Sequence, residues 1–430
     1  MAGDIGRTAR DLRLANRTAV LRRLHSDGPT SRYELAPATG MSSGSISNVV
    51  AELIADGLVE EAGTVESNGG RPRVLLRIAP SGGHMIGIDV GETRVRIELF
   101  DLSFAELART ERPLADQGYD VEVIVGHIRD GIAEVLAESD IAPEQLLGVG
   151  VGVPGIVART AEGLAVVHGQ TIGWDAVPLE ALMRSTCGLP DSVQYFIDNG
   201  ARMLGQAEMW FGAGQGAGTA VAVLFGSGVG AGLVTEQVEE GRSLEWGHLI
   251  VQIKGRRCRC GALGCLDAYA GAAALLGRWR EEGGHPPADS DEEAALAAMV
   301  DAAYPAEGTD ADQVALTILE DAVEYAGAAL ADLVNLFQPD RIIIGGWAGL
   351  QFGTRFLPAL RSYAVSYALR YPSERVSIDL GALGPEAVTV GAAILPVGDF
   401  FARGGKRGLH TRLRRRNANE PAATRLRPGP

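Results

Sequence analysis

The chain has 430 residues, of which 46% are apolar and 22% charged, with a net charge of −15. That composition excludes a disordered or collagen-like polymer and predicts a globular protein of about three domains. No apolar run reaches the ~18 residues of a membrane span. Arg7, Arg10, Arg13 and Arg17 break the N-terminus where a secretion signal would be apolar, so a cytoplasmic protein with no membrane partner is expected.

The charge is divided unevenly. Residues 1–85 hold 10 basic and 9 acidic side chains, and residues 401–430 hold 9 and 1, so the stretch between them is strongly acidic. An acidic body repels nucleic acid. Any DNA contact must come from the N-terminal segment or the basic tail.

From the N-terminus, Leu14, Val20, Leu21 and Leu24 recur near helical spacing and stop at Asp27-Gly28-Pro29. Thr30 or Ser31 caps a second helix that ends near Gly40. Ser42 or Ser43 caps a third, with Ile46, Val49, Val50, Leu53 and Ile54 along one face. Two β-prone runs, 58–61 and 74–78, flank a turn at Asn68-Gly69-Gly70 and predict a hairpin. Three helices and a hairpin make a winged helix-turn-helix over 1–80. The third helix offers Ser43, Gly44, Ser45, Ser47 and Asn48, short side chains that can approach base edges, and its N-terminus can meet a phosphate. Arg71 and Arg73, stiffened by Pro72 in the wing, suit a narrow minor groove. Double-stranded operator DNA is the expected partner. A three-helix domain for protein contacts is the alternative that the near-neutral charge leaves open.

In the body, an apolar run from Ile86 leads into Asp89-Val90-Gly91-Glu92-Thr93. Later, Gly226, Gly228, Gly230 and Gly232 alternate after an apolar run, with Ser227 between the first two. Such glycines allow the backbone to approach a phosphate, or simply to turn tightly. The stretch 245–267 places His248 ahead of Cys258, Cys260 and Cys265. One imidazole and three thiolates make a closed tetrahedral set for Zn2+, with Gly261 and Gly264 letting the chain wrap. No position is left for a catalytic water, so the zinc is expected to be structural. Residues 287–312 read as a helical insertion, and 335–346 as a helix end, a strand and a glycine turn.

Together these motifs resemble the ROK family, which groups sugar kinases with sugar-responsive transcriptional repressors. The resemblance runs from about residue 10 to about residue 397. The family element G-H-x(9)-C-x-C-G-x-x-G-C-L-E is complete here except for Asp267, where glutamate is usual. The resemblance implies an α/β, two-lobed actin-like ATPase (ribonuclease H-like) sugar-kinase fold behind the winged helix-turn-helix. Lobe 1 would span 81–200, lobe 2 with the zinc site 201–375, a return to lobe 1 376–400, and a basic disordered tail 401–430. Asp89, Gly91 and Thr93 would form one phosphate loop, with Glu92 in place of a glycine and set to repel phosphates. Gly226, Ser227 and Gly228 would form the other.

Sugar contacts would fall to Asn199, Glu245, His248 and Asp267, while Thr171 stands where a sugar-binding asparagine is usual. The family's kinase base is the aspartate of N-D-x-N-A. Here that position is Gly200, with Arg202 for the second asparagine and Glu208 in register further along. Phosphoryl transfer to a sugar needs a carboxylate in reach of the hydroxyl, so no enzyme activity is expected. The reading is a regulator, as a repressor of sugar uptake or catabolism genes, answering a sugar or sugar derivative as a homodimer or homotetramer. A sugar kinase with an accessory DNA-binding domain, or a ligand-free scaffold, are the alternatives.

Overall fold

The first helix opens on a reciprocal cap. The Asp11 amide donates to the Thr8 hydroxyl at 3.2 Å, and the Thr8 amide donates back to the Asp11 carboxylate at 3.0 Å. The computed structural model describes residues 8–67, 70–114, 118–235, 241–288, 290–306 and 310–407. In it, α1 runs Ala9–Asp27. Ser31 and Glu34 repeat the capping box at α2 (Arg32–Thr39), which left-handed Gly40 ends, and Ser42 caps α3 (Ser43–Ala55). A two-residue β1 (Thr30–Ser31) joins the predicted hairpin of β2 (Val59–Ser67) and β3 (Gly70–Ile78) as a third strand, in the order β1-β3-β2. Leu21, Leu24, Leu35, Ile46, Leu53 and Leu76 are buried between them. This is the expected winged helix-turn-helix, but its core is not its own. Met85, Phe100, Leu102, Phe400 and Phe401 from the body belong to the same cluster.

Lobe 1 is built on β4 (His84–Val90), β5 (Arg94–Asp101) and β6 (Glu106–Pro113), then α4 (Val121–Ser139) and β7 (Leu146–Val153). A small sheet of β8 (Ile156–Arg159), β9 (Ala165–Gly169) and β10 (Trp174–Val177) follows, then α5 (Leu179–Thr186) and β11 (Gln194–Asn199). The main sheet has the order β11-β7-β4-β5-β6. β4, β5 and β6 are antiparallel, while β7 and β11 run parallel to β4. Every residue of β7 is buried, as a strand covered on both faces requires.

Helix α6 (Gly200–Phe211) leads into lobe 2. Its strands are β12 (Thr219–Phe225), β13 (Val229–Thr235) and β14 (Arg242–Leu244), followed by α7 (Asp267–Ala270), α8 (Ala272–Glu281), α9 (Glu292–Ala303) and α10 (Gln313–Phe337). Then come β15 (Arg341–Gly345), α11 (Trp347–Tyr367), α12 (Arg370–Ser373), β16 (Ser377–Leu380) and α13 (Ala387–Ala402). The order β14-β13-β12-β15-β16 repeats the plan of lobe 1: an antiparallel three-strand meander with two parallel strands beside its first member.

Helix α13 returns to lobe 1 at very short range. A Cβ on Gly150 would lie 1.8 Å from the Ala392 carbonyl oxygen, and one on Gly87 2.0 Å from that of Thr389. Only glycine permits that approach.

Three expectations need correcting. β16 pairs with β15, so lobe 2 extends to Leu380 and the return begins after it rather than at 376. The supposed tail starts too early, because Phe401 is fully buried, Arg17 Nε donates to the Gly404 carbonyl at 2.7 Å, and Arg407 donates to the carbonyls of Glu144 and Gln145. Residues 408–430 lie outside the described residues. Finally, Gly384–Ala402 is long and apolar enough to cross a membrane, where no such run was expected, but 61% of it is buried inside the protein. It is a core helix.

Candidate functional site

Between the lobes lies a cleft of about 1010 Å3. Asp89, Gly91 and Thr93 line it from lobe 1, Asn199 and Gly200 from the junction, and Gly226, Ser227, Gly228, Glu245, His248 and Asp267 from lobe 2. Every residue predicted for the ligand contacts and the two phosphate loops therefore meets in one place. The chemistry at each position is less uniform.

Asn199 caps α6, its Oδ1 accepting from the Ala201 and Arg202 amides at 3.0 and 3.3 Å, while its Nδ2 donates to the Gly155 carbonyl at 2.8 Å. Asp267 is buried and holds the second glycine loop, accepting from the Val229 amide at 3.0 Å. Burial pushes the Glu245 carboxyl above its usual range, and His248 partly offsets this. At the base position Gly200 offers no carboxylate. Asp198, two residues earlier, is ion-paired to Arg202 and accepts from the Asn199 amide at 2.8 Å. Glu208 is fully buried and accepts from the amides of Ala213, Ala382 and Leu383 at 2.7, 3.1 and 3.0 Å. Its role is to tie the end of α6 to the loop before α13.

At the other end, Asp89 is enclosed, and burial raises its carboxyl to about 6 against the pull of Arg96 and Arg94. Glu92 is also raised by burial, and Arg259 pulls it down. The Ser227 hydroxyl, in the second glycine loop, donates to Glu292 of α9. The sequence reading missed Arg259, Glu292 and Glu293. Arg259 sits between Cys258 and Cys260, but its partner Glu92 is 167 residues away, and no local pattern joins them.

The ligand atoms of His248, Cys258, Cys260 and Cys265 all lie within 4.8 Å of one another. Cys260 and Cys265 sulfurs are 3.8 Å apart, as are Cys258 Sγ and His248 Nδ1. A tetrahedron with ~2.3 Å metal–sulfur bonds has edges of about 3.8 Å, so the donor set fits a four-coordinate ion. Gly264 has φ 82°, and a Cβ there would lie 1.8 Å from the Gln252 carbonyl oxygen, which is how the loop wraps so tightly.

On the winged segment, Ser43, Gly44, Ser47 and Asn48 are exposed along α3. Ser45 departs from expectation: it is half-buried, with its hydroxyl 2.9 Å from that of Ser42. Ser47 Oγ donates to the Ser43 carbonyl at 2.9 Å, so Asn48 is the freer polar group. The Arg73 guanidinium lies 4.1 Å over the ring of Tyr33, an exposed aromatic the sequence reading passed over. Asn68 and Gly69, and the side chain of Arg71, fall outside the described residues.

Comparison with known proteins adds the following. Residues 85–398 match the sequence profile of the ROK family. The xylose repressor of Caldicellulosiruptor bescii is 29% identical over 401 residues, covering 91% of this chain and 97% of that protein. The DNA-binding transcriptional dual regulator NagC of Escherichia coli K12 is 28% identical over 363 residues, covering 83% and 86%. Each covers more of the chain than lies after residue 84, so each takes in part of the winged segment. A ROK family transcriptional regulator, a homolog of the E. coli MLC protein, shares the fold with a TM-score of 0.68 at 24% identity, over 92% of this chain and 98% of that one. A ROK family glucokinase from Streptomyces griseus, solved with glucose and AMPPNP, gives 0.58 at 26% identity, over 73% and 99%.

Proposed function

The chain belongs to the ROK family, and from that premise we propose that it is one of the family's DNA-binding transcriptional regulators, a repressor of genes for uptake or catabolism of a sugar. The observation that carries this reading is the winged helix-turn-helix packed into one core with a two-lobed body. The geometry around Gly200 supports a body that senses rather than phosphorylates, because Asp198, the carboxylate two residues before it, is paired to Arg202.

The effector, a sugar or sugar derivative, occupies the cleft near Glu245 and His248. Binding shifts the balance between lobe arrangements. Helix α6 starts at the cleft with Asn199 and ends with Trp210 against His25 of α1, so a shift at one end is felt at the other. Ser43, Ser47 and Asn48 face the major groove, with Ser45 turned back to the helix cap, and Arg71 and Arg73 face the minor groove. Half-sites one helical turn apart, ~34 Å, call for two copies of the chain, hence a homodimer or homotetramer.

The ion that suits three thiolates and one imidazole is Zn2+, held by His248, Cys258, Cys260 and Cys265. It supplies a fixed cross-link that positions Glu245 and Arg259. A thiolate site of this kind persists where thiols stay reduced, which supports a cytoplasmic location.

The test is fluorescence anisotropy with DNA from upstream of the protein's own gene and of neighbouring sugar genes, competed by random DNA at equal salt. Specific fragments should bind roughly a thousandfold tighter. Equal affinity for specific and random fragments would overturn the reading.

A further inference from the structure

The phosphate end of the cleft is already filled by this chain's own charges. Arg259 of lobe 2 binds Glu92 of lobe 1 through both guanidinium nitrogens, the longer contact being 3.4 Å, and lies 3.6 Å from Asp267. Arg94 of lobe 1 binds Glu293 of α9 at 2.9 Å. One residue earlier on that helix, Glu292 accepts from the Ser227 hydroxyl. Glu92, Glu292 and Glu293 thus surround the two loops at which a nucleotide's phosphates would have to lie, and two ion pairs run from lobe to lobe.

We infer that the start of α9 is a built-in occupant of the phosphate end: with Glu92 it excludes nucleotides and polyphosphates, and through Arg259 and Arg94 it latches the lobes, leaving the Glu245–His248 end to an uncharged sugar. A phosphate entering here meets three carboxylates and finds the nearby cations engaged, and like charges brought together at short range are strongly disfavoured. The side chains of Glu92, Arg259, Arg94 and Glu293 are only 15%, 33%, 29% and 41% exposed. Pairs open to solvent to that degree are each modest in strength, and salt still screens them, though less than it screens fully exposed pairs. The latch is therefore reversible and releases as ionic strength rises. The ligand class named here rests on reading the cleft as the effector site. The exclusion and the latch do not.

Isothermal titration of the full chain with AMPPNP and with inorganic tripolyphosphate, each with and without magnesium, tests the exclusion. The wild type should give no saturable binding with either probe. The variant Glu92→Gly/Glu292→Gln/Glu293→Gln should bind tripolyphosphate saturably, at a concentration at least about tenfold below the highest at which the wild type shows none. Saturable binding to the wild type overturns the proposal, and so does a variant that is folded by circular dichroism yet binds neither probe. Small-angle scattering tests the latch. The wild type should expand between low and high salt, and Arg259→Ala and the isosteric Glu293→Gln should be expanded already at low salt. A radius unchanged in all three overturns the latch. Operator binding measured on the same samples keeps the readings apart, since loss of specific DNA binding with polyphosphate still excluded would remove the regulator and leave the plug.

Discussion

The imidazole of His25 packs edge-on against the indole of Trp210, with ring centroids 5.0 Å apart. Phe104, Phe211 and Phe401 complete the nest at 5.2, 5.4 and 5.7 Å. The first helix of the winged segment is thereby joined to the ends of α6 and α13.

Burial lowers the pKa of His25 to about 4, from 6.5 in the unfolded chain. Between those values the unfolded chain binds the extra proton. Stability carried by the neutral ring is therefore full above pH 6.5 and is lost as the pH falls toward 4. Urea unfolding at about pH 7.5 and about pH 5 should show a loss on the order of 2 kcal/mol that His25→Phe largely removes. Asp89 and Glu98, raised by burial to about 6 and about 7, act in the opposite sense, so the comparison is between the two proteins and not between the two pH values. An equal loss in both would show that His25 does not carry it.

Elemental analysis of the purified chain should return about one zinc per protomer, as four donors and no open position require. Cys260→Ser leaves three donors and should melt lower by roughly 5 °C or more, with chelator causing no further drop. A metal-free wild type whose melting is indifferent to chelation would rule the site out.

Coupled assays across hexoses should show no phosphorylation by the wild type or by Gly200→Asp. A new carboxylate at 200 restores at most the ~10²–10⁴ that a general base supplies, and it does nothing for phosphates facing Glu92 and Glu292. ATP-dependent turnover that disappears in Asp198→Asn would reinstate the kinase.

In DNA binding, Arg73→Ala should weaken specific affinity by roughly 1–3 kcal/mol, and Arg71→Ala similarly. Tyr33→Ala, which removes the ring under Arg73, should reproduce part of that loss without touching a charge. Asn48→Ala should relax sequence preference more than it lowers non-specific binding. Removing residues 408–430, which carry Arg412, Arg414, Arg415 and Arg416, should flatten the salt dependence while specificity stays. Anisotropy titrations at several salt concentrations measure all five.

What was legible beforehand was what is local. Ser31, Gly40 and Ser42 mark helix ends through their own hydrogen bonds and φ angles, so the winged segment could be read almost to the residue. The cluster of His248, Cys258, Cys260 and Cys265 was legible because its spacing brings four donors together. What escaped was decided by the assembled body. Phe401 looks like the beginning of a tail until α1 is laid over it, and Glu208 looks like part of a kinase helix until Ala382 and Leu383 turn their amides to it. Arg259 and Glu92 become neighbours only when the two lobes have formed.

The shared core beneath the winged segment bears on how such a protein can be taken apart. Leu102, Phe400 and Phe401 are covered by Leu21, Leu24 and their neighbours, and Arg17, itself buried, secures the Gly404 carbonyl. Cutting the chain near residue 80 would strip that cover and leave a greasy, sticky face on the remainder. The DNA reader is therefore not a bead on a string that can be clipped off or grafted elsewhere. Any lineage that acquired or lost it had to rebuild the surface underneath at the same time.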